Sequence, residues 1–287
     1  MRIVFLAIVL GLAAKGQELR LGKANLIPER QAKELLRAMC PGAIEASKDE
    51  FHAGQWGCAS CPEFTDLKVG TFDLAAVHYG HFSGAGADEA SLAMVGCTSH
   101  VNQFGGTVLL TRSGGHWKRA GVELGRITSR CISVKRKDGR DLLVCESEDM
   151  HQGIGDLMLY SVDLAPQKSP ARETSLLHLN DNMATCGENL GATTMKVDPL
   201  QSASYRRVHL DDGKLRVEVV YGWRPAYSAE NMKACRAAQE KDKPIPALLK
   251  PPTKIYTIEF DFDGVKFAVS AASKQAKATV ETFHVDR

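Results

Sequence analysis

The sequence lacks a large net charge, because 36 Lys and Arg residues nearly balance 34 Asp and Glu residues and leave a formal charge of +2. A nearly neutral chain has no electrostatic footprint for nucleic acid, so we expect no nucleic-acid partner. The sequence also lacks a Gly-x-Ser-x-Gly elbow, a P-loop and a His-Glu-x-x-His pair. None of these enzyme motifs therefore indicates a reaction type.

Long apolar runs are missing as well, except in residues 3–14, which follow Arg2. That run is too short to span a bilayer as a helix, and small residues follow it, which is typical of a secretory signal peptide. We expect residues 1–16 to be removed by cleavage after Gly16, leaving no membrane span; an uncleaved anchor is the alternative. The expected location is secreted or periplasmic.

Eight cysteines follow this segment, an even number in a compartment expected to be oxidising, so disulfides are the default. Eight half-cystines allow about 105 full pairings, so the count alone does not define the pairs. The cysteines are Cys40, Cys58, Cys61, Cys97, Cys131, Cys145, Cys186 and Cys235.

Two helices are predicted in a chain that otherwise resembles β structure. Pro28 suits a first helical turn, and the apolar residues after it have helical spacing until Cys40. A second helix is expected over residues 228–241, with Ser228 as its N-cap. The apolar positions of the first helix are Ala32, Leu35, Leu36 and Met39.

The strand patterns differ between the two halves of the chain. Residues 91–97, 141–145 and 157–162 are nearly continuous apolar runs, which predict strands covered on both faces. Residues 215–221 and 256–269 alternate between apolar and polar side chains, which predicts one face in a core and one in water.

Asp-Gly turns allow the register of two hairpins to be predicted. A three-residue loop at 137–139 pairs Val134 with Leu142 and sets Cys131 opposite Cys145, so a Cys131–Cys145 disulfide is expected.

For the last hairpin, a two-residue turn at Asp263-Gly264 predicts Phe262 opposite Val265 and Phe260 opposite Phe267.

Residues 87–111 and 139–161 form an internal repeat with a period of about 50 residues. GHFSGAGADEASLAMVG followed by GGTVLLTRSGGHWK resembles an FG-GAP or VCBS-type repeat, the blade unit of integrin-like β-propellers, and the resemblance is clearest over residues 78–162. It implies a mainly β fold, a propeller-like array of antiparallel β-sheets with a short N-terminal helix and one inserted helix. Residues 17–287 would form a single β-rich domain.

Within that domain three parts are expected. Residues 17–77 form a helix and a Cys-rich segment, residues 78–162 two propeller-like repeats, and residues 163–287 further β-hairpins with the inserted helix. The early acids and Asn of the family's calcium loop fall here on His81, Ser83 and Ala85, so we expect neither calcium nor another cofactor.

Polar residues occupy equivalent loops of the two repeats, where they could line one rim of the array as a binding site. They are His100, Asn102, His151 and Gln152. The leading hypothesis is therefore a binding or interaction module for an extracytoplasmic protein or glycan. The alternatives are a secreted hydrolase with a carboxylate or histidine site, and a thiol–disulfide protein using Cys58 and Cys61. Disulfides from those two cysteines to Cys40 and Cys97, or within their own loop, would be structural instead.

Overall fold

A computed structural model gives the architecture as three antiparallel β-sheets with three α-helices in the part of the chain that it describes. The protein is therefore mainly β, as expected. The structure describes residues 17–19, 27–40, 42–45, 56–99, 105–151, 154–164, 172–186, 199–224, 228–241 and 243–283.

Fifteen strands and three helices lie within those ranges. In chain order the strands are β1 (Gln17–Leu19), β2 (Ala43–Glu45), β3 (Trp56–Cys58), β4 (Phe72–Gly80), β5 (Glu89–Val95), β6 (Gly105–Ser113), β7 (His116–Leu124), β8 (Arg130–Lys135), β9 (Asp141–His151), β10 (Ile154–Asp163), β11 (Arg172–Asp181), β12 (Leu200–Asp211), β13 (Lys214–Arg224), β14 (Lys254–Phe262) and β15 (Phe267–Val269). The helices are α1 (Glu29–Leu36), α2 (Ala229–Gln239) and α3 (Lys274–Glu281).

Each sheet contains four consecutive strands that run up and down beside one another. The first sheet has the order β2-β3-β4-β5-β6-β7, the second β11-β10-β9-β8, and the third β1-β12-β13-β14-β15. The four-stranded units are thus β4–β7, β8–β11 and β12–β15, and among the described strands only β1 joins one that is distant in sequence.

The three sheets bury their apolar side chains against one another. One cluster joins the second and third sheets through residues such as Val144 and Val217. Another joins the first and second sheets through Leu109 and Leu143. Because burying one large apolar side chain contributes about 1.5–3 kcal/mol, these clusters hold the sheets together.

Helix α1 covers the remaining face of the first sheet. Its buried residues Ala32, Leu35 and Leu36 pack in one cluster with Leu92 and Leu110 of that sheet. Helix α2 begins as expected, because the side chain of Ser228 accepts a hydrogen bond from the amide of Asn231.

The strand patterns predicted from the sequence agree with the burial. Strand β5 is buried from Glu89 to Met94, and β9 from Asp141 to Glu146, because each lies in a sheet that is covered on both faces. In β13 the alternate residues Leu215, Val217 and Val219 are buried, whereas the residues between them face outward.

Four disulfides use all eight cysteines, and none is left free. Cys40 pairs with Cys58 and Cys61 with Cys97, so the two cysteines of the Cys-x-x-Cys sequence belong to different bonds. Both bonds are structural, since they tie the segment before β4 to the first sheet. The remaining disulfides are Cys131–Cys145 and Cys186–Cys235.

The hairpin between β8 and β9 has the register derived from its turn. Val134 lies opposite Leu142 and Cys131 opposite Cys145. Gly139 has φ of 82°, the left-handed conformation that closes a three-residue loop and that glycine adopts without steric cost.

The predicted register of the last hairpin is wrong. Phe262 lies opposite Phe267, and Phe260 opposite Val269, so the loop has four residues rather than two. The cause is local: Oδ1 of Asp263 accepts hydrogen bonds from the amides of Val265 and Lys266 at 2.8 Å, which stabilises the longer loop.

Two isoleucines on β14 test the one-sided burial of the third sheet. Ile258 is fully buried, whereas Ile255 is 53% exposed on the opposite face. We expect Ile258→Ala to lower the free energy of unfolding by about 2–5 kcal/mol, because it leaves a cavity. Ile255→Ala should change it by less than about 0.5 kcal/mol. Equal losses in chemical denaturation would contradict the assigned faces.

Candidate functional site

In the loop that resembles a calcium site, the acidic side chains interact with other groups of the protein. The carboxylate of Glu89 is buried and accepts a hydrogen bond from the amide of Ser83 at 2.7 Å. Asp88, in contrast, is exposed and lies 3.9 Å from the guanidinium of Arg112. The acidic groups at the end of the loop therefore already have protein partners.

The same loop joins the first sheet to the second. The amide of His81 donates to Oδ2 of Asp141 at 2.7 Å, and the amide of Asp141 donates to the carbonyl of His81 at 2.8 Å. Lys135 also pairs with the Asp141 carboxylate. A Cβ at Gly80 would lie 2.9 Å from that carboxylate and 3.0 Å from the buried ring of Phe82, so a larger residue there would force one of them to shift.

A third turn meets the other two at this end of the molecule. The amide of Lys137, in the β8–β9 turn, donates to the carbonyl of Gly264, in the β14–β15 turn, at 2.9 Å. The turn before β9 therefore contacts both the turn before β5 and the turn before β15. Among the described residues, no group of three or more His, Cys, Asp or Glu side chains is placed to hold a metal ion.

The binding residues predicted from the repeats are not brought together by any described contact. His100, Asn102 and Gln152 lie outside the described residues. The backbone of His151 ends β9 and pairs with Ile154. Both β5 and β9 begin beside the junction at His81 and Asp141, so their other ends, at Val95 and His151, lie away from it. A shared rim site there stays a prediction.

An open cleft with a volume of about 680 Å³ lies between α1 and the tip of the β6–β7 hairpin. We call it the α1 cleft. Its lining consists entirely of charged residues and one histidine. The lining residues are Glu29, Arg30, Lys33, Glu34, Arg37 and His116.

Some of the charges in the α1 cleft are paired and some are not. The ammonium of Lys33 lies 2.6 Å from Glu29, and Glu34 lies 3.7 Å from Arg112 at the edge of the cleft. Arg30, Arg37 and His116 are exposed and form no ion pair with another described residue. Among the described residues, the cleft therefore offers cationic and hydrogen-bonding groups without an ion-pair partner, next to two carboxylates that each have a cation nearby.

Aromatic rings contact Lys33 of the α1 cleft and the nearby Arg112. Lys33 Nζ lies 4.2 Å from the ring centre of Trp56, and the Arg112 guanidinium lies 5.4 Å from that of Trp117. Tyr79 packs beside Trp117 with ring centres 6.0 Å apart, and 47% of Tyr79 is exposed.

Helix α1 also holds Tyr79 directly. Its hydroxyl accepts a hydrogen bond from Gln31 at 2.6 Å. Partial burial raises the pKa of Tyr79, so this hydroxyl stays protonated at neutral pH.

The role of the α1 cleft residues was not predicted from the sequence, because the prediction of α1 rested on its apolar face alone. Arg30, Lys33 and Arg37 have i, i+3 and i+7 spacing, which places them on one face of a helix. That signal could have been found. The position of His116 could not, because it depends on how the β6–β7 hairpin packs beside α1.

Glu146 is a second unusual group, away from the cleft. It lies on the same face of β9 as Val144, and only 5% of its side chain is exposed. Its Oε2 accepts no hydrogen bond from the described residues, and the nearest cation, Arg130, is 3.8 Å away. Burial raises the pKa of Glu146.

The fold and site together define a disulfide-linked, mainly β protein with a polar, concave surface beside its N-terminal helix. No helix among the described residues is long and apolar enough to cross a membrane. Comparisons with protein-family models, curated proteins and solved structures found no match to this chain.

The raised pKa of Glu146 makes a prediction for the pH dependence of stability. The folded protein retains the Glu146 proton at pH values where the unfolded chain has lost it, so this group's contribution to stability falls as pH rises through that window. We expect Glu146→Gln to abolish this fall and to increase the free energy of unfolding at neutral pH, as measured by urea denaturation across pH. The matched variant is Glu148→Gln, whose side chain is 55% exposed. Loss of stability in Glu146→Gln at neutral pH, or the same result in both variants, would contradict the assignment.

Proposed function

We propose that the protein is an extracytoplasmic binding module whose ligand occupies the α1 cleft. The observation that carries the proposal is the lining of the cleft, in which Arg30, Arg37 and His116 have no partner within the described structure. Unpaired guanidinium groups in a concavity are available to a ligand without first breaking an internal ion pair. The rigid sheet beneath α1 keeps these groups in place.

Four disulfides suggest an oxidising environment, which supports the extracytoplasmic part of the proposal. The predicted signal peptide agrees with this, since cleavage after Gly16 would leave Gln17, the first residue of β1, at the new N-terminus. Strand β1 would then still pair with β12.

We also propose that the scaffold descends from propeller-like repeats. The support is the presence of three four-stranded antiparallel units that share apolar clusters in the order first, second, third sheet. In the resemblance to FG-GAP and VCBS-type repeats, the turn before β5 and the turn before β9 are equivalent. The contact between them, through His81 and Asp141, is compatible with neighbouring blades.

The hydrolase alternative has less support. The two carboxylates in the cleft, Glu29 and Glu34, are each held by a cation, so neither is set apart as a general acid. The thiol–disulfide alternative has lost its basis, because Cys58 and Cys61 are bonded to Cys40 and Cys97.

A binding screen with a cleft variant tests the proposal. Wild-type protein and the Arg30→Ala/Arg37→Ala double variant would be measured by surface plasmon resonance against maltohexaose, oligogalacturonate and an oligo-glutamate peptide. We expect at least one probe to bind wild type and to lose about tenfold or more in affinity with the variant, since a hydrogen bond to a charged group contributes about 1.5–3 kcal/mol.

The matched control is Arg206→Ala/Arg207→Ala, which removes the same charge from exposed positions on the third sheet. It should bind like wild type. Absence of any cleft-dependent binding would overturn the proposal, and mass-spectrometric detection of cleaved oligosaccharide would favour the hydrolase.

A further inference from the structure

We propose that the ligand of the α1 cleft is an acidic polysaccharide, a linear sugar chain that carries carboxylate or sulfate groups. This inference rests on the proposed function, because it names the ligand class of the same cleft. It depends on the spacing of the cations that have no partner among the described residues, on the aromatic rings near the cleft and on the absence of apolar residue types from its lining.

Arg30 and Arg37, which have no ion-pair partner among the described residues, occupy different positions along α1. Arg30 and Arg37 are seven residues apart on one face of α1, which places them about 10 Å apart along the helix axis. A chain with anionic groups at regular intervals contacts both, and each planar guanidinium can donate two parallel hydrogen bonds to a carboxylate or a sulfate.

The aromatic rings near the cleft favour sugar over other polyanions. Tyr79 is half-exposed and packs beside Trp117, the residue that follows His116 of the cleft lining, and its hydroxyl accepts a hydrogen bond from Gln31 of α1. Exposed aromatic rings with a polar tip offer an apolar face and a hydrogen-bonding group to the same ligand. The C–H faces and hydroxyl groups of a sugar ring match that combination.

The lining argues against a protein partner. The core of a protein–protein interface is depleted in charged residues and contains apolar anchors. Five of the six lining residues, namely Glu29, Arg30, Lys33, Glu34 and Arg37, carry a full charge, and the sixth is His116. The paired acids Glu29 and Glu34 lie among the cations, so a hydrated ligand with both anionic and hydroxyl groups suits the cleft better than a uniformly charged chain.

Isothermal titration calorimetry with defined polymers tests the inference. The probes are oligogalacturonate and sulfated dextran oligosaccharides as acidic sugars, unmodified dextran as the neutral sugar, and poly-glutamate and a single-stranded oligothymidylate as polyanions without acidic sugars. We expect at least one acidic sugar to bind wild type at least about tenfold more tightly than every other probe, with affinity falling as salt concentration rises. The two acidic sugars distinguish carboxylate from sulfate as the recognised group.

The variants locate the binding. In Arg30→Ala/Arg37→Ala we expect affinity for the acidic sugar to fall by about tenfold for each arginine. In Arg206→Ala/Arg207→Ala it should be unchanged, and thermal melting would verify that both variants are folded. Binding of poly-glutamate or oligothymidylate as tight as that of the acidic sugars overturns the inference, as does equal binding of dextran. If such a probe still depends on Arg30 and Arg37, the cleft remains a binding site and only the ligand class is wrong. If no probe depends on them, both proposals fail.

Discussion

The carboxylate of Asp141 is the group on which the arrangement of the first two sheets depends. It is buried, and it accepts a hydrogen bond from the amide of His81 while pairing with Lys135. A buried carboxylate is costly unless such partners satisfy it. Because the amide of Asp141 in turn donates to the carbonyl of His81, the start of β9 and the end of β4 hold each other in one position. The loop GHFSGAGADE thus has a structural role in this protein: Gly80 permits the close approach of Asp141, and Gly86 adopts a left-handed conformation.

Local structure could be predicted from the sequence because periodicity and turn chemistry are local. The helix over residues 29–36 and the alternating strand β13 agree with their apolar patterns. The β8–β9 register also agrees, since a one-residue slip would have moved every side chain of β9 to the other face. The predicted register of the last hairpin was wrong because a two-residue loop and a four-residue loop both leave Phe260 and Phe262 on the same face. The apolar pattern therefore does not distinguish the two loop lengths. The side chain of Asp263 favours the four-residue loop, because it accepts hydrogen bonds from two amides of that loop.

The candidate site was less predictable, because it is formed by elements that are distant in sequence. The cationic spacing of Arg30 and Arg37 is visible in the chain, but a helix face becomes a cleft only when another element stands beside it. That element is the β6–β7 hairpin with His116, and its position follows from the packing of α1 on the first sheet. The internal repeat predicted a binding site in the loops after β5 and β9, because polar residues occupy equivalent sequence positions there. Equivalence in a repeat predicts position in an array, but it does not by itself predict a ligand.

The loop between β4 and β5 forms a fixed junction between the first two sheets. Hydrogen exchange at individual amides measures this directly. We expect the amides of His81 and Ser83, although they lie in a loop, to exchange as slowly as that of Asp141. Added calcium should not change their rates, because their acceptors are protein groups. Fast exchange at His81 and Ser83 with a protected Asp141 amide, or protection that appears only with calcium, would contradict the fixed junction.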